Sequence, residues 1–229
     1  MPGPALIAQI IMFAALTAFL LFVLAKLLEM RRAEFIRSYA WPPGLLDKLP
    51  KRYPQFQRKE AALVSQGLRQ FFLAHLKSGR KYVAMPSQVA DDLWHEFILY
   101  TREYDAFCKK AFGQFLHHTP AVALSPMRTK NNEGLRRVWW HSCKDENIDP
   151  RKPTRLPLLF ALDTKYNIPN GYVYQPDCEQ LRRNGKAGTQ CGGDFSSSSV
   201  DGSTEGFGES GGGGDGGGDG GGGGCGGGD

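Results

Sequence analysis

The chain has 229 residues, 41% of them hydrophobic and 29 of them Gly, with 28 Lys and Arg against 23 Asp and Glu for a formal net charge of +5. Once low-complexity segments are set aside, this length holds one small domain and excludes a large multidomain enzyme. Five cysteines, an odd number without a C-x-x-C pair, speak against a disulfide framework and against a zinc ribbon or finger with paired ligands.

The chain opens on an apolar run from Ala5 to Ala25 that only Gln9 and Thr17 interrupt with polar atoms, and that carries no charge. At about 1.5 Å per residue such a helix covers roughly 31 Å, the thickness of the hydrocarbon layer. A helix satisfies its own backbone hydrogen bonds in lipid, and no polar stripe marks a soluble amphipathic face. A cleaved signal peptide wants a basic start, a shorter core and a small-residue cleavage motif. Met-Pro-Gly-Pro has no basic side chain, and Lys26 to Glu29 supply no such motif. An uncleaved transmembrane anchor over residues 1–30 is the expectation. Lys26, Arg31, Arg32 and Arg37 follow the run and no Lys or Arg precedes it. The expected orientation is therefore N-terminus outside and body cytoplasmic, as in a single-pass protein of a bacterial inner membrane.

Residues 31–57 contain Pro42, Pro43, Pro50 and Pro54 and read as an extended juxtamembrane connector. A helical domain is expected over 58–180. From Arg58 to Ser78, the residues Val64, Leu68, Phe71, Phe72 and His75 fall on one helical face, and Gly79 is placed to end the helix. Pro86 and Ser87 open a second helix with Val89, Leu93, Trp94, Phe97, Ile98 and Tyr100 at 3–4 spacing. Thr101 starts a third, whose buried side is Tyr104, Phe107, Cys108 and Phe112 and whose end is Gly113. Further helices are expected near Glu133–Cys143 and Leu156–Tyr166, and Gly171 to Gln175 reads as an extended strip. The fold class is mainly α.

Between Asp91 and His118 the sequence is dense in metal-ligand types. Asp92, His95 and Glu96 stand at i, i+3 and i+4 and share a helical face. Cys108 lies one helix later, and His117 and His118 follow a turn. In a helical hairpin His95, Cys108 and His117 or His118 can meet, a donor set suited to zinc or another borderline metal, with Asp92 and Glu96 as supporting carboxylates. Against this, aromatics at helical spacing are ordinary core, a Cys among them is a small buried hydrophobe, and His before Pro120 suits a loop. No nucleophile with a partnered base can be read, so no catalytic residue is assigned.

The series D-x-x-W-H, Tyr, Cys, F-G-x-x-L-x-H is formed here by Asp91/Asp92, Trp94, His95, Tyr104, Cys108, Phe112, Gly113, Leu116 and His117/His118. Over about residues 60–120 it resembles the glycine-rich domain-containing protein-like family. Plant relatives of that family carry W-H-x-H, where Phe97 stands in this chain, so one potential ligand is missing. The resemblance implies no reaction.

Residues 181–229 read as a disordered Ser/Gly-rich acidic tail. From Gly202 to Asp229, 18 of 28 residues are Gly, and residues 194–229 hold seven acids and no Lys or Arg. Such a segment buries too little surface to offset the entropy of ordering it. The tail contributes −7, which leaves residues 1–193 at +12. A body of that charge is expected to lie against an anionic leaflet. Nucleic-acid binding is disfavoured because the basic residues are scattered among acids without a reader motif. Two functional classes follow. The preferred one is a non-enzymatic, membrane-tethered interaction or scaffold domain with an unidentified protein partner. The alternative is a zinc-like metal-binding protein or metal-dependent enzyme centred on His95, Cys108 and His117/His118.

Overall fold

A computed structural model describes residues 3–118, 128–176 and 190–191. Helix α1 spans Pro4–Ser38, α2 Lys48–Arg52, α3 Arg58–Lys77, α4 Gln88–Leu99, α5 Thr101–Phe112, α6 Arg128–Asp145 and α7 Leu158–Lys165. Among the described residues the strands are β1 (Tyr174–Gln175) and β2 (Gln190–Cys191), paired in parallel with Tyr174 opposite Gln190. The protein is mainly α, as its periodicities imply. The tail expected over 181–229 lies outside the described residues, apart from the backbone of Gln190 and Cys191.

The N-terminal half of α1 is apolar and uncovered: Ile11, Phe13, Leu16, Phe19 and Leu21 are all exposed. The polar atom of Thr17 is satisfied within the helix, its Oγ1 donating to the Phe13 carbonyl at 2.7 Å. This one helix is long and apolar enough to cross a membrane. It does not stop at residue 30. It runs on without a break to Ser38, and Ala33 and Ile36 are buried in the domain core. The stretch read as connector is core as well, because Leu45, Leu49, Tyr53 and Phe56 are all buried and α2 folds within it. Prolines mark the bends of this stretch but do not keep it off the domain.

Helix α3 is central and packs against α1, α4, α6 and α7, while α5 lies against α1 and α4. The face read from sequence is the buried one, with Val64, Leu68, Phe71 and Phe72 fully enclosed. Phe72 gathers the aromatic core: its ring lies 5.0 Å from Phe107 and 6.0 Å from Trp94. Arg69, also on α3, closes the end of α1. It donates to the carbonyls of Ile36 (2.9 Å) and Tyr39 (2.8 Å), groups that a helix C-terminus leaves without partners. Its guanidinium also lies 4.7 Å from the centre of the Trp41 ring.

Side-chain acceptors from distant segments fix the starts of α4 and α7. Asp163 of α7 accepts from Ser87 Oγ (2.8 Å) and from the backbone N–H groups of Gln88 (2.6 Å), Val89 (3.2 Å) and Tyr172 (2.9 Å). Its negative charge thus sits at the positive end of α4. Glu146 and Gln70 do the same for α7, accepting from Leu158 N (2.5 Å) and Leu159 N (3.1 Å). At Gly134 a Cβ would lie 2.7 Å from the Ala84 nitrogen, so α6 crosses the 82–84 segment at a distance only Gly allows.

His75 is buried, with Nδ1 3.1 Å from the Lys81 carbonyl and Nε2 without a hydrogen-bond partner. Burial pushes its pKa down to about 4, the Lys81 carbonyl opposes that shift, and the Arg80 charge adds to it. The folded state therefore holds this imidazole neutral where the unfolded chain, near the ordinary 6.5, binds a proton. The stability tied to neutral His75 is complete above pH 6.5 and falls away between about 6.5 and 4, by about 3 kcal/mol at most. Denaturant midpoints measured across that window should drop steeply for the native sequence and less for His75→Gln.

Candidate metal site

The site is assembled from α4 and from the segment that follows α5. On α4, Asp91 and His95 stand one turn apart, and His95 Nδ1 lies 3.6 Å from Asp91 Oδ2. Asp91 sits in the first turn of the helix, where a negative charge is favoured. Helix α5 ends at Gly113, whose positive φ of 76° turns the chain back across the hairpin. That return brings His118 onto the same spot: its Nε2 is 2.9 Å from Asp91 Oδ1, and its ring centre is 4.2 Å from that of His95. One ligand atom from each of Asp91, His95 and His118 lies within 4.8 Å of the others.

Two imidazoles and a carboxylate form a donor set suited to zinc and other borderline divalent ions. Bond lengths of about 2.0–2.2 Å require ligand atoms roughly 3–3.5 Å apart. The side chain of His95 is half exposed, whereas His118 is nearly enclosed and Asp91 half-buried. The edge of His118 packs on the Trp94 ring at 4.6 Å. Burial pushes the pKa of the Tyr172 phenol up, and the charges of Asp91 and Asp163 add to that shift.

The other residues singled out in the sequence go elsewhere. Cys108 is fully buried, engaged with Tyr104 and Leu116, and burial pushes its thiol pKa up, which disfavours the thiolate that binds metal. His117 is exposed and its ring rests 4.8 Å from that of Phe115. Adjacent residues of an extended segment point to opposite sides, so His118 turns inward and His117 outward. Asp92 is buried and holds the fold, accepting from the Tyr53 hydroxyl and from Gln88 Nε2 (3.1 Å), with Arg52 Nε at 3.0 Å. Glu96 faces Lys48 Nζ at 3.6 Å. The carboxylate that joins the histidines is thus Asp91, one residue before the one singled out. The i, i+4 spacing of Asp91 and His95 was its sequence signal.

A family model described as UCP032817-like matches residues 31–195, more than half of the chain. The chain belongs to this family. This finding replaces the resemblance to the glycine-rich domain-containing protein-like family, for which there is no match. The residues that carried that resemblance explain why it misled. Trp94, Tyr104, Cys108 and Phe112 are core, and Gly113 is the turn, so they describe a helical hairpin. No curated protein and no solved structure matches the chain.

In this UCP032817-like domain the position of His118 is set by Tyr104. Its hydroxyl donates to the Leu116 carbonyl at 2.6 Å and accepts from Trp94 Nε1 at 3.1 Å. One buried phenol thereby ties α4, α5 and the His118 segment together. Tyr104→Phe leaves the ring in place but strips both partners, and a buried polar group without a partner costs about 1–3 kcal/mol. The variant should be destabilised by about 2 kcal/mol in urea unfolding. Amide exchange should quicken over residues 114–118 before it does in α4.

Proposed function

We propose that this UCP032817-like protein is a membrane-anchored metal-binding protein that holds one divalent ion of the zinc class through Asp91, His95 and His118. The convergence of these three donors, drawn from two separate segments onto one point, carries the reading. The two histidines and the carboxylate supply three protein ligands, the number found in zinc sites that keep an exchangeable position. The half-exposed face at His95 gives that position to water, a small ligand or a side chain of a partner protein. In the last case, metal binding and a tethered interaction role are one function. Metal binding needs the imidazole nitrogens and the carboxylate free of protons, so affinity falls in acid.

The anchor in this reading is α1, crossing the bilayer with the domain on the cytoplasmic side. Its exposed apolar surface and the basic flank of Lys26, Arg31, Arg32 and Arg37 support that orientation.

The detergent-solubilised full chain, equilibrated with zinc and freed of excess, should retain about one equivalent by elemental analysis, the stoichiometry of a single three-ligand site. His95→Ala and His118→Ala should each weaken binding by at least about 100-fold, beyond the 10–100-fold typical of losing an outer partner. Cys108→Ser should leave binding unchanged. Retention of no metal by the folded chain, or equal loss in Cys108→Ser, would refute the assignment.

A further inference from the structure

Helix α1 carries its helical register from the apolar surface into the domain, so the domain surface nearest the membrane can be identified. Arg32 lies two turns beyond Ala25, roughly 10 Å along the axis. That depth falls at the outer edge of the headgroup layer, since the headgroups add only about 5–8 Å beyond the hydrocarbon on each side. Helices α3 and α5 both run antiparallel to α1. Phe107 of α5 meets Phe35 and Tyr39, while Phe112 at its end meets Arg32. Likewise Arg69 meets Ile36 and Tyr39, while Arg80, just past α3, reaches the same Phe112 carbonyl as Arg32. Arg32 Nη1 and Arg80 Nη1 converge on that oxygen at 3.1 and 2.8 Å. The C-terminal ends of α3 and α5 therefore lie level with Arg32.

These ends are basic. Lys81 follows Arg80, Lys109 and Lys110 occupy the last turn of α5, and Arg31 adjoins Arg32; Arg31, Arg80, Lys81, Lys109 and Lys110 are exposed. Lys110 Nζ lies 4.5 Å above the Phe35 ring, which holds its charge against α1. The acids nearby offset part of this charge. Glu29 is paired with Lys26 at 2.9 Å and Asp145 with Arg37 and Lys77, all outside this group, whereas Asp105 pairs with Lys109 itself at 2.7 Å and Glu34 is exposed on α1. We infer that Arg31, Arg32, Arg80, Lys81, Lys109 and Lys110 form a cationic collar that binds the anionic phospholipid headgroups around α1. The collar sits within one Debye length of the headgroups, about 8–10 Å at physiological salt, where each Lys or Arg gains roughly fivefold in partitioning to an anionic surface. This inference rests on α1 crossing the bilayer and does not depend on the metal site.

The test uses the full chain in nanodiscs of phosphatidylcholine alone or with phosphatidylglycerol, with lysine acylation read by mass spectrometry. In the anionic discs the labelling of Lys81 and Lys110 should fall about fivefold and return at high salt. Lys59, at the far end of α3, should label equally in both. Lys81→Glu combined with Lys110→Glu should abolish the lipid dependence of labelling at Lys109 while the circular dichroism spectrum is retained. Equal labelling of Lys81 and Lys110 in the two discs would overturn the collar. So would their protection by single-stranded RNA but not by the anionic lipid. Extraction of the chain from vesicles by alkaline carbonate would instead overturn the spanning reading of α1, which separates the two failures.

Discussion

Because α1 has no break between its exposed apolar half and the turns that bury Ala33 and Ile36, a single run of backbone hydrogen bonds sets the position of the whole domain. A flexible linker would let the domain drift, whereas a continuous helix holds it at one height and one rotation. Arg69 is what secures that junction on the domain side. It satisfies two carbonyls at the end of α1 and covers Trp41, so the charged group that ends the helix also belongs to the central helix α3. The aromatic rings of Phe35 and Tyr39 then pass the constraint to Phe107 of α5.

The candidate site depends on that same packing at one remove. Trp94 faces Phe71 on its core side and His118 on its outer side, and its indole N–H is held by Tyr104. The imidazole of His118 is thus laid against a wall that the core has already fixed. The α4 half of the site is anchored from the opposite end of the chain, by Asp163 at the start of that helix. Two buried polar groups, a phenol and a carboxylate, position the ligands without being ligands. Rigid elements with locked neighbours are what metal sites require of their surroundings.

Much of this was legible in the sequence. The helical periods of α3, α4 and α5 and the stops at Gly79 and Gly113 follow from local pattern, and the buried faces agree except at Ile98 and Tyr100, which are partly buried, Tyr100 lying just past the end of α4. His95 and His118 were among the residues set aside as ligand types. The choice among their neighbours was only partly legible, because Asp91 (i, i+4 to His95) and Asp92 (i, i+3) differ by a rotation of about 100° around α4. That rotation is resolved by Tyr53 and Arg52, which draw Asp92 inward from a stretch that reads as an extended connector. The inward turn of His118 over His117 depends on the Tyr104–Leu116 bond, a contact across a turn. Asp163 gives no local signal, since its partners at Ser87, Gln88 and Val89 are some 75 residues away.

His75 lies in the core, apart from the two histidines of the candidate site. His75 is enclosed and takes up a proton only at the expense of the fold. His95 has half its side chain in water, and His118 faces the Asp91 carboxylate. In the proposed metal-bound state acid competes for the ligand atoms, and it opposes folding through His75, which packs on the Phe112 ring. His75 is not one of the three proposed ligands. On the proposed reading, a bound ion could exchange at this site while the domain stays packed on α1. This is the behaviour expected of a ligand set placed at the surface of a helical hairpin, with its supporting groups in the core.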